Sequence, residues 1–94
     1  MVIGSCIIEL SIPAAHSLKD KRRVLKSIIN RVQNEFNVSI AEVYPSDAWQ
    51  SATLGVAYVS NGADHVHSIL TKVINMIENS RFDAEIVDYR IEIL

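Results

Sequence analysis

The spacing of apolar residues switches between two and about 3.6 along the chain, and the order of those periods constrains the fold more than any single motif. From Val2 to Ile12, the residues Val2, Cys6, Ile8, Leu10 and Ile12 share one face, while Ser5, Glu9 and Ser11 lie on the other. This is the repeat of a strand, and Pro13 ends it. Ser17 then offers a hydroxyl to a free helix amide and Asp20 can reach back to the cap, so a helix is expected from there to about Phe36, closed by Asn37. "VSIAEVY" (38–44) and "SATLGVAYV" (51–59) are β-branched, strand-length segments joined by "PSDAWQ", whose Pro45, Ser46 and Asp47 are turn formers. They read as a hairpin. Asn61 can cap a second helix to about Ser80. After it, "AEIVDYRIEIL" alternates, with Val87, Tyr89, Ile91 and Ile93 opposite Asp88, Arg90 and Glu92. The order is βαββαβ. Its simplest fold is ferredoxin-like, a four-stranded antiparallel sheet with two helices on one face, filling residues 1–94 as a single domain.

Ninety-four residues hold one core but leave little stability to spare, so association of copies is a natural expectation. No apolar run approaches the ~20 residues that span a bilayer, and Met1-Val2-Ile3 leads into a strand pattern rather than a signal peptide. The expectation is a cytoplasmic protein without membrane contact. The lone Cys6 fits a reducing compartment. Charge is lopsided: residues 1–36 carry +3 and residues 37–94 carry −5. With a net charge of −2 the chain is no bulk polyanion binder, so any affinity for nucleic acid has to reside in a local patch.

That patch is the start of the first helix, where Lys19, Lys21, Arg22, Arg23 and Lys26 fall within eight positions. Cations are disfavoured there, because the helix macrodipole places roughly half a positive charge at the same end. At about 100° per residue, Leu18, Leu25, Ile28, Ile29, Val32 and Phe36 form one arc. Arg22, Lys26, Lys19 and Arg23 form a contiguous stripe beside it, continued by Gln33 and Asn30. Lys21 alone falls inside the apolar arc. Its stem is expected to pack while the ammonium snorkels past the helix end, where a carboxylate from the sheet can meet it.

Catalytic and metal-binding patterns are absent from the sequence. His65 and His67 are two apart on a helix and point to different flanks, and His16 sits in a loop, so no metal site is expected. Cys6 shares a face with Ile8 and Leu10 and reads as a small hydrophobe. With only Gly4, Gly55 and Gly62 there is no glycine-rich phosphate cradle, and no nucleophile motif occurs; no cofactor and no catalytic residue are expected. Small βαββαβ domains include acylphosphatases, copper chaperones and RNA-recognition modules. The loop "IPAAHS" lacks the glycine of the first, one cysteine cannot make the CxxC of the second, and the third stacks bases on aromatic residues of its central strands. Here those strands present Ser5, Ile7 and Glu9 beside Thr53, Gly55 and Ala57, a smooth face suited to solvent or to another copy. Trp49, in the hairpin loop, either folds back over the core edge or anchors a partner.

"SLKDKRRVLKSIINRVQNEFNVSIAEV", "WQSATLGVAYVSN" and "VDYRIEIL" together resemble the small bacterial family of unknown function typified by YlxP. The combination of Ser17-Leu18-Lys19, Lys21-Arg22-Arg23, Phe36-Asn37-Val38 and Trp49-Gln50 carries the likeness, which spans almost the whole chain. Asp20 stands where that family often has Glu, and Tyr44-Pro45 and Ala48 are atypical for the loop. The resemblance implies a ferredoxin-like fold and a gene found near translation-initiation and ribosome-maturation genes; it brings no catalytic residues. Charge placement and kinship together make RNA or the ribosome the expected partner, held by Lys19, Arg22, Arg23 and Lys26 with Lys21 in reserve. The rival expectation is a homo-oligomer, most simply a dimer, joined through the open sheet face and Trp49.

Overall fold

The computed structural model describes residues 1–94. Strand β1 (Val2–Ser11) leads to helix α1 (Leu18–Glu35), hairpin strands β2 (Ser39–Val43) and β3 (Ser51–Ser60), helix α2 (Ala63–Asn79) and strand β4 (Glu85–Ile93). The strands form one sheet in the order β2-β3-β1-β4 with every neighbouring pair antiparallel. Both helices bury their apolar arcs in one shared core, so they lie on one face, and the architecture is ferredoxin-like. Neither helix is long and apolar enough to cross a membrane.

The core repeats the two periods of the sequence. Cys6, Ile8 and Leu10 from β1, Ile12 just past its end, and Ala52, Leu54 and Val56 from β3 meet Leu25, Ile28 and Val32 of α1 and Val66, Leu70, Val73, Ile74 and Ile77 of α2. Each fully buried Leu or Ile in such a layer contributes about 1.5–3 kcal/mol relative to an exposed one. Gly4 lets α2 settle on β1: a Cβ there would overlap Val66 Cγ1 and crowd Leu70 and Ile93.

Three local features differ from the sequence reading. The α2 cap is Gly62, not Asn61, and it makes no side-chain hydrogen bond. The Asp20 carboxylate accepts from the His16 amide at 3.0 Å, one residue beyond the cap, while Ser17 Oγ accepts from Asp20 N–H at 3.0 Å as the capping pattern requires. In β4 the register against β1 shifts between Glu9 and Leu10, so Leu10 pairs with Ile86 while Glu9 pairs with Asp88. The bulge moves Ile86 into the inward place and leaves Val87 68% exposed, off the face it was expected to share with Tyr89, Ile91 and Ile93.

Candidate functional site

The site is built around the first turns of α1, where the only acid is Asp20. That carboxylate is held below the usual range chiefly by the His16 amide, helped by the charge of Arg23, whose Nη2 lies 3.7 Å away. A depressed carboxyl stabilises the fold in its ionised form; this contribution is present at neutral pH and is lost as acid protonates the group. The other ion pairs, Arg31 with Glu35 at 3.5 Å and Arg90 with Glu92 at 3.1 Å, involve none of the stripe. Arg31 also lies over the Phe82 ring, 5.9 Å from its centroid. Lys19, Arg22 and Lys26 are therefore exposed cations in no ion pair, and Arg23 is shared with one acid.

Lys21 corrects the expectation made for it. Its residue is 2% exposed, and the ammonium does not snorkel to solvent or meet a carboxylate. It donates to the carbonyls of Ser46 at 2.9 Å, Ala48 at 2.6 Å and Ser51 at 3.3 Å. An ammonium has three N–H groups, and all three are used. No donor remains for a phosphate, so Lys21 leaves the set of anion-binding candidates. What it does is fasten the β2–β3 loop onto α1. Carbonyl dipoles alone compensate this buried charge at the positive end of a helix, a place where an unpaired ion would be costly.

Gln50 fastens the same loop from the other side, a role that nothing in the sequence signals, where the residue figures only as part of the Trp49-Gln50 motif. Its Nε2 donates to Pro13 O at 3.0 Å and lies 3.4 Å from Ala15 O, and its own carbonyl accepts from Ile12 N–H at 2.9 Å. The loop begins at Tyr44, whose φ of 50° is left-handed. For a residue with a Cβ this costs about 1–2 kcal/mol, which the bonds to Lys21 and Gln50 offset. Between these fixed points Trp49 stands 51% exposed beside a shallow recess lined by Asp47, Ala48, Gln50 and Ser51. It does not fold back into the core.

A fifth cation approaches the stripe from afar. Arg81, in the α2–β4 connection, lines a shallow cavity together with Arg23, Val24, Ser27, Phe82 and Asp83. Nothing in its local sequence marks it, because the proximity is created only by the fold.

The remaining candidates are placed apart. His65 Nδ1 and Ser60 Oγ are hydrogen-bonded at 2.9 Å, and the imidazole meets Tyr58 edge-on with ring centroids 5.6 Å apart. No three His, Cys, Asp or Glu side chains cluster as a metal would require. Cys6 is 1% exposed, and burial pushes its thiol up to about 11, far from the reactive thiolate range. It packs as a hydrophobe.

The sequence profile described as "Protein of unknown function (DUF503)" matches residues 3–91. The chain is 44% identical over 78 residues to the uncharacterized protein YlxP of Bacillus subtilis (strain 168), covering 83% of this chain and 85% of that one. Among solved structures it is similar to a de novo designed protein with a ferredoxin fold, LFR1 1. The TM-score is 0.56 at 16% identity, covering 100% of this chain and 84% of that one. A second designed protein, Foldit4, gives a TM-score of 0.55 at 10% identity, covering 100% and 97%. These two likenesses concern the fold alone.

Proposed function

The chain belongs to the DUF503 family of proteins of unknown function, and from that premise we propose that it is a non-catalytic, cytoplasmic RNA- or ribosome-associated module. Its basic flank on α1 binds phosphates. The observation that carries this reading is that Lys19, Arg22 and Lys26 are exposed on one helix with no acid paired to them. A merely solvated helix face would be expected to pair its cations with neighbouring carboxylates, and here only Arg23 does so. The test is titration of a structured RNA fragment at low salt, where a dissociation constant below about 1 mM is expected from backbone contacts alone. R22Q/K26Q should weaken binding on the order of tenfold or more, whereas Lys72→Gln, on exposed α2 surface, should leave it unchanged. Equal weakening by both would mean that total charge and not the flank governs binding.

A second reading is favoured by the open sheet face, where Ile3 pairs with Val59, Ile7 with Gly55 and Ser5 with Ala57, and where Ile3 and Val59 are exposed. Small and apolar side chains there suit close approach of a second copy, with Trp49 as a further contact. Sedimentation at tens of micromolar should then give a dimer. A monomer whose Trp49 emission matches free tryptophan would dismiss it.

A further inference from the structure

We propose that Trp49 is a stacking platform for an unpaired nucleobase, so that the strand bound by the basic flank is single-stranded RNA rather than duplex. This rests on the phosphate-binding reading above and narrows it.

The indole is the chain's only one, and it is half exposed although both of its neighbours are fastened. On one side the carbonyl of Ala48 is bound by Lys21; on the other, Gln50 is bonded to Pro13 and Ile12. An aromatic ring on so fixed a backbone forfeits little entropy when a ligand covers it, which is what makes a contact surface efficient. Lys21 also sets its location. Lys21 lies between Lys19 and Arg22 in sequence, so its bond to Ala48 brings the Trp49 backbone within one lysine side chain of the turn that carries both cations. A flat aromatic face beside cations that track a phosphate backbone is the combination used for single strands. A duplex cannot use the indole, because its base faces are already stacked. Asp47, the loop's one carboxylate, lines the recess beside the ring; it disfavours a phosphate seated on the loop itself and offers an acceptor to an exocyclic amine of a stacked base.

The experiment titrates a short unstructured RNA, and the duplex of the same sequence and length, into the full chain at low salt while following Trp49 emission. The single strand should quench the emission and bind more tightly than the duplex. Trp49→Ala should weaken single-strand binding about 5- to 100-fold, leaving duplex affinity and the salt slope unchanged, and Trp49→Phe should restore most of the loss. The stacking proposal is overturned, with the phosphate reading intact, if Trp49→Ala has no effect on the single strand while R22Q/K26Q still weakens it. A Trp49 emission that shifts to the blue with protein concentration in the absence of RNA would place the ring against a second copy and also overturn it. If neither RNA binds, both readings fail together.

Discussion

Lys21→Met should lower stability by roughly 2–3 kcal/mol, the range for hydrogen bonds donated by a charged group whose acceptors are then left poorly satisfied. For a domain of this size that is a fall in Tm of about 10–20 °C. Methionine keeps an unbranched stem in the apolar arc, so the loss reports the ammonium rather than a cavity. The carbonyls of Ser46, Ala48 and Ser51 lose their common donor, and the loop that starts at the left-handed Tyr44 loses what holds it there. Faster motion of Trp49, read as lower fluorescence anisotropy, should accompany the drop in Tm. Lys21→Arg should not rescue either property, since a planar guanidinium cannot aim three donors at carbonyls arranged around a point. An unchanged Tm for Lys21→Met would show that the loop stands without this lysine.

The second large effect is on binding. If Lys19, Arg22, Lys26 and Arg23, the last released from Asp20, each neutralise a phosphate, log K should fall with log salt at a slope of roughly −2.8 to −3.6. Affinity for RNA should then drop roughly 50- to 150-fold between about 50 and 200 mM salt. Arg23 makes the slope informative at its edge: its Asp20 partner, 3.7 Å away, competes with phosphate, so a value near the shallow end means that this pair survives in the complex.

The element order was readable because each segment's apolar period agrees with the layer it joins. Where two apolar residues stand side by side, as Ile86 and Val87 do, the period cannot say which points inward. That choice belongs to the bulge opposite Glu9 and Leu10. Asn61 and Gly62 posed the same difficulty at the α2 cap, since both residue types tolerate the position. Lys21 is the more instructive case. Its place in the apolar arc was legible, but its partners are backbone carbonyls of residues 46, 48 and 51, which carry no side-chain signature and come near only through the hairpin. A lysine in an apolar arc therefore signals a buried acceptor somewhere in the fold without saying which. The stripe beside it was legible in full from helix geometry, whereas Arg81, brought to Arg23 by a distant connection, was not.

The central claim is that the unpaired cations of α1 hold phosphate. Its most direct test is the salt slope of RNA binding measured for the unaltered chain and for R22Q/K26Q, in which glutamine keeps the helix propensity while removing two of the four charges. About half the slope should disappear while the Tm stays unchanged. An identical slope for the two proteins, or binding no tighter than about 1 mM at low salt for the unaltered chain, would contradict the account.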